Sequence, residues 1–241
     1  MDRSGQAAAL LLFLGVGVAL DARAATEAET GTLEGTVTLG PQLAGRRIDF
    51  PLYADPTRAA QRAAPRSLAD ELGNVVVYLE SAPALGVAPV VPPAPYRIEQ
   101  VGLAFEPHVL AVPRGATVEF PNRDVVFHNV FSLSKAASFD LGRYPSGASR
   151  SVRFDKPGIV KVFCHIHSDM SAILVVLDHP FFASPGRDGR YSIAGLPPGE
   201  YRVVPWHERA RTVARGVRVE AGQVTRLDFD IPLDLETADG G

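Results

Sequence analysis

The stretch from residue 160 to residue 170 reads VKVFCHIHSDM, and the apolar run AILVVL follows at residues 172–177. Val160, Val162 and Cys164 fall on one side of an extended chain and Lys161 falls on the other, which predicts a β-strand with one apolar face. The second run contains no polar residue and predicts a continuous apolar strand. The sequence therefore predicts two strands joined by a tight loop, with Cys164 where the first strand ends.

Strand signals extend in both directions from this pair. Short runs rich in β-branched and aromatic residues recur between Gly and Pro residues, and hardly any segment keeps a helical period. The Ala-rich segment Arg58–Leu72 is the exception and predicts one short helix. The predicted fold class is all-β, with a β-sandwich followed by a small second β-sandwich. We expect strands at Gly31–Leu39, Asn74–Leu79, Val109–Val112, Ala116–Phe120, Tyr191–Ile193, Tyr201–Val204, Val217–Val219 and Val224–Ile231.

The composition is that of a globular protein with no electrostatic affinity for nucleic acids. The chain of 241 residues is 46% hydrophobic and 21% charged, a balance that excludes a disordered or multi-spanning membrane protein. Its net charge of -3 leaves no excess of basic residues to displace counterions from phosphates. We therefore expect no nucleic-acid partner.

Residues 1–24 have the pattern of a secretory signal. Arg3 precedes the apolar run Ala7–Leu20, and Ala22-Arg23-Ala24 fits a small-residue cleavage site. The apolar run is shorter than the roughly 20 residues that a membrane-spanning helix needs. We expect the signal to be removed, so that the mature chain is periplasmic or otherwise exported and keeps no membrane span.

Cys164 is the only cysteine, although an oxidising compartment favours paired cysteines. It is a buried inert thiol, an intermolecular link or a metal ligand, and its neighbours favour the last. Cys164, His167 and Met170 offer a thiolate, an imidazole and a thioether from one loop, and His128 adds a second imidazole after the Ala116–Phe120 strand. Such a set is typical of a blue copper centre, although Zn²⁺ competes for Cys and His donors.

The segment from Asn122 to Asn129 and the Cys-x-x-His-x-x-Met loop resemble the cupredoxin family of blue copper proteins, over residues 74 to 178. The short gap between histidine and methionine resembles amicyanin more than cupredoxins with a longer ligand loop. The resemblance implies a Greek-key β-sandwich and one type 1 copper ion. Its implied ligands are His128, Cys164, His167 and Met170. It also implies that Asn129 ties the two ligand loops together and donates a backbone hydrogen bond toward the Cys164 sulfur.

A wider resemblance includes the C-terminal part of the chain. Exported proteins labelled methylamine-utilisation-like carry a cupredoxin followed by a carboxypeptidase-regulatory or transthyretin-like domain, and this chain is similar to them at Phe105–Leu110, Phe139–Gly142, Leu196–Tyr201 and Trp206–Glu208. The implied division is an N-terminal strand with a connecting segment at residues 25–73, a cupredoxin domain at 74–180 and a carboxypeptidase-regulatory-like β-sandwich at 181–235.

Four protein ligands leave no obvious place for a substrate, so we expect a carrier of single electrons between redox partner proteins and not an enzyme. The alternative is a copper-binding protein for delivery or storage in the cell envelope, because the same soft ligands hold Cu(I). A third hypothesis is an envelope interaction protein that uses copper as a structural clip. We expect His165 to point away from the metal, and His108, His179 and His207 to be structural.

Overall fold

The computed structural model describes residues 30–43, 67–81, 95–167 and 169–232. The expected signal at residues 1–24 and most of the helix expected at Arg58–Leu72 lie outside these ranges. Within them, helix α1 covers Leu68–Leu72, a 3-10 turn covers Pro41–Leu43, and the other regular elements are strands. The all-β prediction is confirmed. The described helices are all too short to cross a bilayer.

The described ranges contain strands β1 to β18. Their bounds are β1 Gly31–Leu39, β2 Val76–Leu79, β3 Tyr96–Arg97, β4 Glu99–Val101, β5 Ala104–Glu106, β6 Val109–Pro113, β7 Thr117–Pro121, β8 His128–Leu133, β9 Ser138–Tyr144, β10 Ser149–Arg153, β11 Gly158–Phe163, β12 Ser171–Leu177, β13 Phe182–Ala183, β14 Arg190–Leu196, β15 Gly199–Trp206, β16 Arg215–Val219, β17 Val224–Arg226 and β18 Phe229–Ile231.

These strands form four larger sheets and one hairpin. Sheet I has the order β14-β1-β17, with β18 also paired to β1, and sheet II has the order β13-β2-β15-β16. Sheet III has the order β6-β12-β11-β8-β9, sheet IV has the order β10-β7-β3, and β4 pairs with β5. Sheet III contains the predicted pair around Cys164, because β11 and β12 run antiparallel from Gly158↔Val176 to Phe163↔Ser171.

Three clusters of buried side chains lie between the sheets. The first core lies between sheets I and II and includes Leu33, Val77, Leu79, Tyr191 and Phe229. The second core lies between sheets III and IV and includes Phe120, Tyr144, Phe154, Cys164 and Met170. The middle cluster joins sheets II and III and consists of Val76, Val109, Ala111, Ile173, Val175 and Leu177, with Tyr78, Phe182 and Trp206 packed against it.

Strand β12 explains why residues 172–177 are apolar without interruption. Ala172, Leu174 and Val176 belong to the second core, whereas Ile173 and Val175 belong to the middle cluster. Successive side chains of a strand point to opposite faces, so a strand buried on both faces needs apolar residues at every position. The predicted continuous apolar strand is therefore confirmed, and its burial on both faces accounts for its composition.

Strand β2 requires a correction to the expected organisation. We placed Asn74–Leu79 at the start of the metal-bearing segment, but β2 pairs with β15 from Val203↔Leu79 to Trp206↔Val76 and with β13. Successive residues of β2 alternate between the first core and the middle cluster. Sheet II is the sheet that lies between these two clusters, so β2 packs there. Likewise, β1 pairs with β14, β17 and β18. Strands from the N-terminal part thus complete the sheets formed after residue 181.

The single strand expected at Val224–Ile231 is divided into β17 and β18. β17 pairs in parallel with Thr32–Glu34, whereas β18 pairs in parallel with Val37–Leu39. Between them, the Leu227 amide donates to the Glu34 carbonyl, and the Leu227 carbonyl passes so close to Gly35 that a Cβ there would lie 1.9 Å from its oxygen. The contact therefore requires glycine at position 35 in β1. It occurs at Leu227, where the strand expected at Val224–Ile231 is interrupted.

A buried ion cluster joins α1 to the end of β15. The Glu71 side chain is 4% exposed, and its Oε1 accepts hydrogen bonds from His207 Nε2 at 3.0 Å and Arg209 Nη2 at 2.8 Å. Burial raises the pKa of Glu71, but the hydrogen bonds and charges of His207 and Arg209 outweigh this and lower the pKa from 4.5 to about 2. The ionised carboxylate therefore stabilises the fold.

We predict that Glu71→Gln lowers the free energy of unfolding at pH 7 by roughly 3 kcal/mol, at about 1.4 kcal/mol for each pH unit between the folded and unfolded pKa values. Because the folded pKa is depressed, this contribution is complete above pH 4.5 and is lost as the pH falls toward about 2. Denaturant titrations at several pH values measure it. The control is Glu200→Gln, which removes an exposed ion pair with Arg218. Equal stabilities for both variants would contradict the prediction.

Candidate metal centre

Three donor side chains meet at one end of the neighbouring strands β8 and β11 of sheet III. His128 is the first residue of β8, Cys164 follows β11, and His167 lies in the loop from β11 to β12. His128 Nδ1 is 3.1 Å from His167 Nδ1, and Cys164 Sγ is 3.8 Å from the same atom. All three donor atoms lie within 4.8 Å of one another. The structure therefore brings together three of the four residues that the sequence nominated, through their donor atoms.

The fourth nominated residue, Met170, closes the loop through its backbone. Its amide donates to the His167 carbonyl at 3.1 Å, and its carbonyl accepts from the Cys164 amide at 3.2 Å. The Met170 side chain is 1% exposed and lies in the second core beside Cys164. Because Phe163 pairs directly with Ser171, the sheet brings the loop ends together, and these backbone bonds join Cys164 and His167 to Met170.

Asp124 orients the His128 ring. His128 is 0% exposed, and its Nε2 lies 2.8 Å from Asp124 Oδ2, so Nε2–H donates and Nδ1 is the atom that faces the other donors. Burial raises the pKa of Asp124, but hydrogen bonds from the Leu103 amide, His128 and the Gly102 amide outweigh this and hold the pKa below its ordinary value. The carboxylate remains ionised near neutral pH and selects one ring orientation.

Asn129 ties the segment of His128 to the segment of Cys164, as the resemblance to cupredoxins implied. Its Oδ1 accepts from the His165 amide at 3.3 Å, directly after Cys164, and its Nδ2 donates to Asp140 Oδ1 at 2.7 Å. The His165 ring points away from the donor cluster, is 53% exposed and stacks on Phe131 with a centroid separation of 3.7 Å. His165 therefore contributes its backbone to the site, and its expected orientation is confirmed.

A network of buried polar groups supports the turn before His128. The Asn122 side chain donates to the carbonyls of Val126 and Tyr144, and its Oδ1 accepts from the Asp124 amide. The Tyr144 hydroxyl donates to the Phe120 carbonyl at 2.7 Å. Burial raises the pKa of Tyr144 to about 12, so this hydroxyl stays protonated and the support does not change with ordinary pH.

Exposed apolar side chains lie close to the donor residues along the chain. We call Val101, Val125, Val126, Phe127 and Ile166 the apolar collar; their exposed fractions run from 38% for Ile166 to 95% for Val125. Four of them lie within three residues of His128 or His167 along the chain. The fifth, Val101, adjoins the turn whose amides bind Asp124. These five side chains therefore form an exposed apolar surface next to the segments that carry the donors.

The donor set fits a soft transition-metal ion. An ion binds imidazole nitrogen at about 2.0 Å and thiolate sulfur at about 2.3 Å. Two such ligands of one ion are therefore separated by no more than about 4.3 Å. The His128–His167 and Cys164–His167 separations of 3.1 and 3.8 Å satisfy this limit, and the third pair, the donor atoms of His128 and Cys164, lies within 4.8 Å. Two imidazoles and a thiolate beside a buried thioether are the donors of a blue copper site.

Sequence reasoning missed Asp124 and the side chain of Asn122. The signal for Asp124 was present, because a carboxylate four residues before a nominated ligand in one turn is a candidate for orienting it. The other histidines were assigned structural roles, and all three are buried and bonded: His108 to Glu208, His179 to the Leu79 carbonyl, and His207 to Glu71.

Comparison with known proteins finds similarity only among solved structures. A copper-containing nitrite reductase from Thermus scotoductus has 30% identity over 40% of this chain and 25% of that chain, with a TM-score of 0.34. A purple cupredoxin from Nitrosopumilus maritimus has 23% identity over 34% of this chain and 98% of that chain, with a TM-score of 0.30. A Cu(I) form of an amicyanin mutant has 20% identity over 42% and 97%, with a TM-score of 0.33. No family model and no curated protein matches.

We predict that Asp124→Asn lowers copper affinity by about ten- to a hundredfold, because His128 loses its charged partner. Competition with a chelator of known affinity measures the change. The control is Asp155→Asn, which removes an exposed carboxylate paired with Arg153. Unchanged affinity in Asp124→Asn would show that the carboxylate does not orient the ligand.

Proposed function

We propose that this chain is an exported type 1 copper protein that carries single electrons between redox partner proteins. The observation that supports it most is the convergence of two imidazole nitrogens and a lone thiol within 4.8 Å, with Met170 buried in the same core. Copper bound there would supply one-electron redox chemistry and an intense absorption from the thiolate. The proposed ligands are His128, Cys164, His167 and Met170.

The surroundings of the donors suit a site that changes little between oxidation states. Cys164 and Met170 lie in the second core at 5% and 1% exposed, and His128 is oriented by Asp124. His167, which is only partly buried, is the proposed ligand nearest the surface and the natural route for the electron. The protein thereby holds its ligands in place and needs little rearrangement when an electron moves.

Electron transfer is favoured over delivery or storage by the burial of the donors. A delivery protein must release its ion to another molecule, whereas His128 is 0% exposed and Cys164 is 5% exposed, on strands that sheet III holds in place. Four protein ligands also leave no coordination position for a substrate, which supports a carrier and not an enzyme. The proposal is therefore a protein that keeps its copper and exchanges electrons.

The apolar collar is the proposed contact surface for the redox partner. Four of its five residues lie in the segments that carry His128 and His167, so a partner seated there approaches the most exposed proposed ligand. Large exposed apolar patches on soluble proteins mark interaction sites. A brief encounter of this kind requires only a small apolar area with few fixed polar contacts.

We predict that Cys164→Ser abolishes the visible absorption of the copper-loaded protein, because only the thiolate supplies that band. Met170→Leu should keep much of the band and raise the reduction potential, since Cu(II) benefits more than Cu(I) from the thioether, and Met170→Gln should lower it. Voltammetry resolves shifts near 59 mV, the value for a tenfold change in a one-electron equilibrium. The control is His165→Ala. A band that persists in Cys164→Ser would refute the site.

We predict that Val125→Glu slows electron self-exchange between Cu(I) and Cu(II) copies of the protein at low salt, because two collars must meet and the new charges repel. NMR line broadening in mixtures of the two oxidation states measures the rate. The control, Val213→Glu, replaces a valine that is 79% exposed in the segment between β15 and β16. Equal rates in the two variants would count against the collar as the contact surface.

A further inference from the structure

His108 connects the exit of the metal loop to the opposite sheets. It lies directly before β6 and is 2% exposed. Its Nδ1 is 2.9 Å from the Ser171 carbonyl oxygen, and its Nε2 is 2.9 Å from Glu208 Oε1. One ring therefore contacts the residue after Met170 and a residue that follows β15.

The two contacts determine how many protons the His108 ring and the Glu208 carboxylate share. A carbonyl oxygen only accepts, so Nδ1–H must donate to Ser171. In a neutral ring Nε2 would then present a lone pair to the carboxylate oxygen, and two acceptors would face each other at 2.9 Å. One further proton must lie between Nε2 and Oε1. The result is a charge-assisted hydrogen bond, which is stronger than a bond between neutral groups.

The other two buried histidines outside the proposed metal site do not require a second proton. His179 donates from Nε2 to the Leu79 carbonyl and accepts at Nδ1 from the Phe181 amide. His207 donates from Nε2 to Glu71 and accepts at Nδ1 from the Arg209 amide. Each of these rings is satisfied with a single proton, whereas His108 faces acceptors on both sides.

The position of His108 gives this bond a consequence for the metal loop. Ser171 begins β12 and directly follows Met170, so its carbonyl marks the point where the loop enters sheet III. The His108 carbonyl also accepts from the Ile173 amide at 2.7 Å, so His108 binds the start of β12 twice. Glu208 follows Trp206, which packs against the middle cluster. Sheet II is thereby connected to the loop by a short run of direct contacts.

We propose that His108 and Glu208 are positioning residues for Met170: the carboxylate from the sheet II side holds the His108 ring, and the ring fixes the backbone next to Met170. The inference rests on the proposed function, because it concerns a residue of the proposed copper site. It assigns a role to the C-terminal sheets, which supply no nominated ligand. It also gives a role to two motifs that sequence analysis left unexplained, Phe105–Leu110 and Trp206–Glu208.

The test uses the full-length, copper-loaded protein with Glu208→Ala, Glu208→Gln and Glu71→Ala. Loss of the carboxylate in Glu208→Ala should loosen the loop at Met170 and raise the potential, with at least a threefold change in the Cu(II)/Cu(I) equilibrium against a reference couple. Gln at position 208 can donate an amide hydrogen to Nε2, so this variant should keep most of the wild-type potential. Glu71→Ala breaks the buried contact with His207 and should lower thermal stability without changing the potential.

A second measurement on the metal-free protein tests the shared proton directly. Wild type should show a slowly exchanging, downfield proton resonance close in space to the His108 ring, and Glu208→Gln should lack it. Absence of the resonance in wild type would overturn the inference, as would a wild-type potential in a folded Glu208→Ala. An equal shift in the Gln and Ala variants would also overturn it. If wild type has no thiolate-to-copper band, the proposed function fails, and the resonance still decides whether the proton is present.

Discussion

The packing of the sheets is organised around β12, which is buried on both faces. Ala172, Leu174 and Val176 pack into the second core, while Ile173 and Val175 pack into the middle cluster. A strand with this pattern cannot slip by one residue without exchanging every side chain between two cores, although both faces accept apolar groups. Its pairing with β11 sets the separation of the loop ends, and its other face joins sheet III to sheet II. The loop geometry and the cohesion of the four sheets thus share one cause.

The site combines rigid strand ends with ionised groups held near the edge of the core. Buried carboxylates are costly unless they are hydrogen-bonded, and Asp124 meets this condition with two amides and one imidazole. It therefore adds a fixed negative charge next to His128. His128 is itself fully buried, and the low polarity around its ring strengthens the interaction between that charge and the ring. The histidine orientation follows from this electrostatic environment as much as from packing.

Local alternation made the strands predictable, whereas distant partners were not visible in the sequence. The pattern at Val160, Val162 and Cys164 located the strand and its loop, and β1 matches its predicted bounds, because side-chain period is a local property. The partners of β2 were misassigned because apolar residues on both faces permit several sheets. The bond between His108 and Glu208 joins residues 100 positions apart, and neither sequence motif indicates that the other is its partner. The loop that carries the donor residues was thus easier to predict than the sheet to which each strand belongs.

The pairing of β1 with strands near the other end of the chain has a consequence for synthesis. Leu33 pairs with Ile193, so β1 leaves the ribosome long before its partner is made. Sheets III and IV consist of strands between Tyr96 and Leu177 and can close earlier, while β1 waits as an apolar, unpaired edge. Non-local strand pairs form slowly, and unpaired edges invite aggregation. The order of assembly that follows is sheets III and IV first and sheet I last, with β1 open to unwanted strand pairing in the interval.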